Sequence, residues 1–135
     1  MSAVLVTGGA GFIGSHLCEK LLELGYRVIN LDNFNDFYDP KIKRKNILTA
    51  LSNRRYTLIE GDIRDRKLLE KIFNTFNIDT VVHIAALAGV RTSVGNPLEY
   101  VDVDIKGTVN LLEFSKDFKV KKFIFASTSS VYGLN

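Results

Sequence analysis

A glycine-rich segment near the amino terminus has residue types and spacing that suit phosphate binding. The segment reads Thr7-Gly8-Gly9-Ala10-Gly11-Phe12-Ile13-Gly14. Gly9, Gly11 and Gly14 fit the spacing G-x-G-x-x-G, whereas Gly8, Gly11 and Gly14 fit the wider spacing G-x-x-G-x-x-G. Either set permits a tight turn and lets the backbone approach a pyrophosphate at the positively polarised start of a helix. A P-loop is excluded because no Gly-Lys-Ser/Thr follows the glycines.

An acidic residue follows this segment at the distance expected of a dinucleotide-binding unit. Asp32 lies eighteen residues after Gly14, at the end of a predicted strand, and about 20 residues is the usual separation. A carboxylate there accepts hydrogen bonds from ribose hydroxyls and repels a 2′-phosphate, so the sequence favours NAD over NADP. The alternative is that Asp32 is only a turn residue before Asn33.

A polar cluster stands near the other end of the chain. Ser127, Thr128, Ser129 and Ser130 stand at the end of the last predicted strand. Ligands of open α/β sheets bind outside the carboxyl ends of the strands, so these hydroxyl groups are candidates for substrate contact. The alternative is a polar loop that caps the next helix.

Strands and helices alternate along the chain, and this alternation predicts how these residues are positioned. The predicted strands cover residues 3–7, 27–31, 56–60, 80–85 and 123–127, and the predicted helices cover 12–24, 40 to about 51, 66–76 and most of 97–116. Such βαβ units predict an α/β fold with a Rossmann-type doubly wound parallel sheet, ordered 3-2-1-4-5. The alternative is a flavodoxin-like order, against which the glycine segment argues. We expect one domain over residues 1–135, ending after the fifth strand.

Hydrophobic periodicity predicts which helix faces pack on the sheet. The first helix presents Ile13, Leu17, Leu21 and Leu24 on one face, and the helix after Asp65 presents Leu68, Leu69, Ile72 and Phe73. Cys18 is the only cysteine, so an intramolecular disulfide is impossible, and a small buried packing residue is expected. His16 and His83 cannot form a metal site with this one cysteine unless carboxylates assist, so no metal is expected and both histidines are interpreted as structural.

The bulk composition excludes several classes of protein. The 135-residue chain is 46% hydrophobic and 24% charged, which is ordinary for a globular domain. No apolar run approaches the roughly 20 residues that span a bilayer, and no signal peptide is evident, so we expect a cytoplasmic protein without membrane binding. With a net charge of +3, the cluster of Lys41, Lys43, Arg44 and Lys45 is expected to be a solvated helix face and not a nucleic-acid site.

Five stretches, taken together and in order, resemble the extended short-chain dehydrogenase/reductases, and among them the NAD-dependent nucleotide-sugar epimerase/dehydratase family. The first is the glycine segment continued through Ser15-His16-Leu17. The others are Asp32-Asn33, Gly61-Asp62-Ile63-Arg64-Asp65, His83-Ile84-Ala85-Ala86-Leu87-Ala88-Gly89-Val90-Arg91 and Ser127-Thr128-Ser129-Ser130-Val131-Tyr132-Gly133. Residues 33–40 and 88–91 are most similar to the UDP-glucuronate 4-epimerase branch. The resemblance extends over the whole chain.

This resemblance implies an NAD site with defined members. They are Gly8, Gly11, Phe12, Ile13, Gly14, Asp32, Asn33, Asp62, Ile63, Ala85, Ala86 and Ala88. Asp32 and Asn33 would hold the adenosine ribose, and Asp62 would accept a hydrogen bond from the adenine amine beside Ile63. The small alanine side chains would let the dinucleotide lie close to a strand end.

The resemblance also implies where a sugar would react. Thr128 stands where the family carries its catalytic Ser or Thr, whose hydroxyl would bond the 4-oxygen of the sugar, and Ser127 and Ser129 would contact the substrate. Arg91 would meet a substrate phosphate or carboxylate, with a surface loop arginine as the equal alternative.

Two departures from the family pattern bear on activity. Asp104 stands where the family often has Asn, and an extra carboxylate near the cofactor could weaken binding. The family's general base is a Tyr with a Lys four residues later, and none of the five tyrosines in this sequence has one.

We therefore expect the amino-terminal portion of a UDP-sugar 4-epimerase, a homodimer when intact, which acts through transient oxidation of C4 to a 4-keto sugar. The chain alone would bind NAD without turnover. One alternative is a standalone nucleotide-binding or assembly module. Another is that the parent enzyme is a nucleotide-sugar decarboxylase or dehydratase, the latter less favoured because Ser129-Ser130 replaces the usual Asp-Glu.

Overall fold

Five parallel strands form one sheet in the computed structural model, which describes residues 2–133. The strands are β1 Ala3–Thr7, β2 Arg27–Asp32, β3 Tyr56–Glu60, β4 Ile78–His83 and β5 Lys122–Phe125. Their order is β3-β2-β1-β4-β5, which confirms the predicted doubly wound arrangement. The fourth and fifth strands each end two residues earlier than predicted, because Ile84 and Ala126 already belong to the loops beyond the sheet.

Helices connect the strands on both sides of the sheet. They are α1 Phe12–Glu23, α2 Pro40–Asn46, α3 Leu48–Leu51, α4 Arg66–Thr75, α5 Val90–Gly95, α6 Pro97–Tyr100 and α7 Thr108–Asp117. A π-helix, Val101–Gly107, joins α6 to α7, and a 3₁₀ helix, Ser129–Tyr132, follows β5. Within the described residues no helix has the length and apolar character needed to cross a membrane.

The central strands carry two hydrophobic cores, one on each face of the sheet. Side chains at alternate positions of a strand point to opposite faces, so Leu5 and Ile29 join α4 and α7, whereas Val4 and Val28 face α1 and α3. Every residue of β1 is buried. Burial of each of the valine, leucine and isoleucine side chains in these cores stabilises the fold by roughly 1.5–3 kcal/mol relative to exposure to water.

The predicted apolar face of α1 is correct only in part: Leu17 and Leu21 are partly buried and pack against the core, whereas Ile13 and Leu24 do not. Ile13 and Leu24 are 68% and 63% exposed, and the buried positions are Gly14, Ser15, Cys18 and Leu22. A Cβ at Gly14 would overlap the carbonyl oxygen of Gly8, so close contact with the glycine segment turns this side of the helix toward the sheet. Cys18 is confirmed as a buried packing residue, and burial raises the pKa of its thiol to about 12.

Two predicted helices are interrupted. The helix expected from Pro40 to about Leu51 breaks at Ile47, whose φ of −101° and ψ of 0° end α2; its buried side chain packs against Ala10 and Phe34. The long helix within residues 97–116 is present, but its middle is a π-helix. Hydrophobic spacing alone does not distinguish these local changes of backbone geometry from a regular helix.

Candidate functional site

A cleft of about 380 Å³ opens at the carboxyl ends of β1, β2 and β4. The chain crosses from one side of β1 to the other between β3 and β4, so the cleft lies at the point where the strand order reverses. Such a point is where open parallel sheets bind their ligands. The cleft therefore occupies the position expected of a ligand site.

All twelve residues predicted to contact the cofactor line this cleft. They are Gly8, Gly11, Phe12, Ile13, Gly14, Asp32, Asn33, Asp62, Ile63, Ala85, Ala86 and Ala88. The geometry brings them together from four segments that are remote in sequence, one at the carboxyl end of each of β1, β2, β3 and β4. Their role in binding remains a prediction.

The glycines of the first loop have different structural tasks. Gly8 has a φ of +74°, and a Cβ there would lie 2.8 Å from the backbone nitrogen of Ala85, so the two loops meet without room for a side chain. Gly9 instead lies over the buried Asn30 side chain, which a Cβ would overlap. Because Gly8, Gly11 and Gly14 line the cleft and Gly9 does not, the wider of the two spacings describes the cleft.

The amino terminus of α1 faces the cleft without a capping side chain. Gly11 is its N-cap and makes no side-chain hydrogen bond, and its first turn contains no acidic residue. No side chain at the N-cap or in the first turn of the helix itself therefore neutralises the partial positive charge of this helix end. An anionic group such as a pyrophosphate would be stabilised here.

Asp32 is held in place by the backbone. One carboxylate oxygen accepts a hydrogen bond from the Ala10 nitrogen at 3.0 Å, and the other accepts one from the Phe34 nitrogen at 2.9 Å. A carboxylate oxygen has capacity for more than one hydrogen bond. Asp32 can therefore accept further bonds from a ligand in the cleft.

Lys43 is a cleft residue that the sequence analysis assigned wrongly to a solvated face. Its side chain is 8% exposed, its Nζ donates to Asn35 Oδ1 at 2.6 Å, and it lies 3.8 Å from Asp32 Oδ1. The same Nζ stands 5.2 Å from the centre of the Tyr38 ring. The neighbouring Arg44 is also engaged, through an ion pair with Glu60.

Asp62 is the second carboxylate, besides Asp32, that lines the cleft. Although burial by itself raises the pKa of Asp62, hydrogen bonds from the side chain and backbone of Arg64 and from Asn33 outweigh it and bring the pKa to about 2. The Asn33 amide donates to Asp62 Oδ2 at 2.9 Å. Asp62 is therefore ionised at neutral pH and acts as an acceptor in a fixed orientation.

Other residues that sequence reasoning missed also line the cleft. They are Leu31, Asn35, Phe37, Tyr38, Gly61, Ile84, Leu87 and Val103. The Phe37 ring lies beside Gly89, where a Cβ would be 3.6 Å from the ring, and Tyr100 donates a hydrogen bond to the Ala88 carbonyl at 2.7 Å. Most of these residues lie close in sequence to Asp32 or to the run of alanines, and this proximity could have indicated that they line the cleft.

The predicted substrate and catalytic residues lie outside this cleft. Thr128 is the N-cap of the 3₁₀ helix and accepts a hydrogen bond from the Ser130 nitrogen at 3.2 Å. Ser127 and Ser129 are exposed beside it, and Arg91 is exposed on α5. Their roles remain predictions, as does the effect of Asp104, whose carboxylate accepts from the Leu87 nitrogen at 2.8 Å. The described residues contain no cluster of three potential metal ligands.

Comparison with protein families and curated proteins gives consistent matches. Residues 5–135 match the model of the GDP-mannose 4,6 dehydratase family. UDP-glucuronate 4-epimerase 1 of Arabidopsis thaliana is 48% identical over 98% of this chain and 31% of its own length. UDP-glucuronate 4-epimerase of Thermodesulfobacterium geofontis is 47% identical over 98% of this chain and 41% of its length. The chain thus spans well under half the length of these relatives.

Solved structures share the fold. UDP-glucose 4-epimerase of Thermotoga maritima, with UDP-glucose, has a TM-score of 0.84 and 42% identity, over 98% of this chain and 40% of that one. UDP-glucuronic acid 4-epimerase of Bacillus cereus, in complex with NAD, has a TM-score of 0.82 and 41% identity, over 98% of this chain and 42% of that one.

Proposed function

Because the chain belongs to the GDP-mannose 4,6 dehydratase family, we propose that residues 1–135 form the NAD-binding portion of a nucleotide-sugar 4-epimerase. The observation that carries this proposal is the cleft at the strand-order reversal, which gathers all twelve residues expected to contact the cofactor. The similar B. cereus structure contains NAD, which supports the choice of cofactor.

The residues of the cleft fit a dinucleotide. Gly8 and Gly14 have no side chains, and a Cβ at either position would clash with the backbone. Their absence leaves a path for a pyrophosphate beside the uncapped start of α1. At one side Asp32 would accept hydrogen bonds from the adenosine ribose, and Asp62 would accept one from the adenine amine. When bound, NAD supplies a hydride acceptor, and the small side chains of Ala85, Ala86 and Ala88 leave room for it.

For the whole protein we propose epimerisation of a UDP-sugar through transient oxidation of its C4. The Thr128 hydroxyl would form a hydrogen bond with the 4-oxygen of the sugar. Ser127 and Ser129 would contact the substrate, and Arg91 would bind a phosphate or carboxylate of the substrate. The general base and its lysine are not among the residues of this chain. The chain by itself therefore binds NAD without turnover.

We also propose that the intact protein is a homodimer. Leu98, Val101, Ile105, Val109 and Leu112 are exposed apolar side chains along the helical stretch from α6 to α7. Their spacing of three or four residues forms one stripe, which a second copy of the protein would cover.

Calorimetric titration with NAD, and separately with NADP, tests cofactor binding. The wild-type chain should bind NAD saturably and NADP more weakly. Ile13→Glu places a negative charge at the cleft end of α1, where the helix dipole favours an acidic side chain, so the helix should remain stable. The charge should repel the pyrophosphate and weaken NAD binding about tenfold or more. His16→Glu, one turn further along the same helix and outside the cleft, is the matched control. A folded wild-type chain that binds no NAD would refute the proposal.

A further inference from the structure

Beneath the cleft, three polar side chains form a hydrogen-bonded series between β1, β4 and α7. Thr7 Oγ1 lies 2.7 Å from His83 Nδ1, and His83 Nε2 lies 2.8 Å from Thr108 Oγ1. Thr7 and His83 are almost completely buried. The Thr108 hydroxyl in turn donates to the backbone carbonyl of Asp104, in the π-helix.

The direction of each hydrogen bond in this series follows from the last one. Because Thr108 donates its only hydroxyl proton to the Asp104 carbonyl, its oxygen accepts from His83, which must carry a proton on Nε2. In a neutral ring Nδ1 is then an acceptor, and it takes the hydroxyl proton of Thr7. Burial lowers the pKa of His83 to about 4, which agrees with a neutral ring.

The series closes into a ring through the wall of the cleft. The Thr7 oxygen accepts hydrogen bonds from the nitrogens of Ile84 and Ala85, each at 3.2 Å. The Asp104 carboxylate accepts from the Leu87 nitrogen at 2.8 Å. The backbone from Ala85 to Leu87 is therefore held at both ends, at the level where Ala85 touches Gly8.

We propose that His83, as its Nε2–H tautomer, is a positioning residue that fixes the alanine wall of the cleft relative to the glycine segment. This inference rests on the proposed NAD-binding function, because the position of the alanine wall against Gly8 shapes the cleft that the dinucleotide would enter. His83 does not line the cleft and acts only through Thr7 and Thr108.

The test compares Thr108→Val with Thr108→Ser in the 135-residue chain. Valine keeps the shape of threonine but removes the acceptor for His83 Nε2–H, whereas serine keeps it. Nitrogen-15 NMR of the His83 ring should show the Nε2–H tautomer in wild type and Thr108→Ser, and a mixture in Thr108→Val. NAD affinity should fall about tenfold in Thr108→Val and return in Thr108→Ser, as expected for loss of one buried hydrogen bond.

His83→Asn provides a second variant should Thr108→Val fail to fold. The asparagine oxygen can replace Nδ1 as acceptor for Thr7 but is too short to reach Thr108, so the same loss of NAD affinity is expected. An Nδ1–H ring in a wild-type chain that binds NAD overturns the positioning role alone. So does equal NAD affinity in Thr108→Val and Thr108→Ser. A folded wild-type chain that does not bind NAD, yet shows the Nε2–H tautomer, overturns the proposed function instead, and the positioning role with it.

Discussion

The ammonium group of Lys43 lies 3.8 Å from the carboxylate of Asp32, and both side chains are buried at the edge of the cleft. The pair is not a direct hydrogen bond, because 3.8 Å is too long for one; Lys43 donates to Asn35, and Asp32 accepts from two backbone nitrogens. Its effect is to compensate a buried negative charge at the place where ribose hydroxyls are proposed to bind.

Lys43→Met should therefore destabilise the fold and sharpen cofactor choice. Removing one partner of a buried pair costs roughly 3 kcal/mol, because the remaining charge loses its compensation. The uncompensated Asp32 should also repel a 2′-phosphate more strongly and increase the preference for NAD over NADP about tenfold. Denaturant unfolding and calorimetry measure the two effects. The exposed Lys45, on the same helix, gives the control Lys45→Met, and equal behaviour of the two variants would contradict the prediction.

Gly9→Ala should destabilise the chain through a clash with Asn30. The added methyl group would overlap the Asn30 side chain, and overpacking of this kind typically costs about 1–3 kcal/mol. In an Asn30→Ala background the same change should cost much less, and a double-mutant cycle from denaturant unfolding measures the coupling.

Gly95→Ala is the control for this cycle, because a Cβ at Gly95 meets nothing within 4 Å. It should leave stability unchanged or raise it slightly, since alanine is the better helix former. Additive costs for the Gly9 and Asn30 changes would show that their contact is not the cause.

Stability should decline on acidification because of His83. Its pKa is lowered by burial from 6.5 to about 4, so the folded state favours the neutral ring. The resulting stability is fully present above the unfolded pKa and is lost as the pH falls from 6.5 toward 4. The total is about 3 kcal/mol. Denaturant unfolding across this range should show the slope in wild type and not in His83→Asn, and His16→Asn should retain it.

Asp104→Asn should preserve the fold and strengthen NAD binding. The asparagine oxygen can accept the hydrogen bond from the Leu87 nitrogen, while a negative charge next to the cleft residue Leu87 is removed. Calorimetry at neutral pH should show affinity about threefold higher. Asp104→Leu, which cannot accept the bond, should weaken binding, and a loss of affinity in Asp104→Asn would show that the carboxylate charge favours the ligand.

The sheet could be predicted from sequence because buried parallel strands appear as short apolar runs, such as Val4-Leu5-Val6. The orientation of α1 could be predicted only in part, because it depends on the contact between Gly14 and Gly8, whereas hydrophobic periodicity also placed Ile13 and Leu24 in the core. The cleft residues were predicted from motif resemblance. Lys43 was missed since a lysine in a basic cluster usually lies in water, and only the tertiary structure places Asp32 and Asn35 beside it.

The hydrogen bonds that hold Ala85 and Leu87 have a thermodynamic consequence. Backbone that is already ordered loses little conformational entropy when a ligand arrives, because that entropy was lost when the chain folded. The side of the cleft formed by the loop from Phe37 to Tyr38 lacks such a ring in the described structure. Ordering on ligand binding should therefore be concentrated on that loop, which makes the cleft rigid on one side and adaptable on the other.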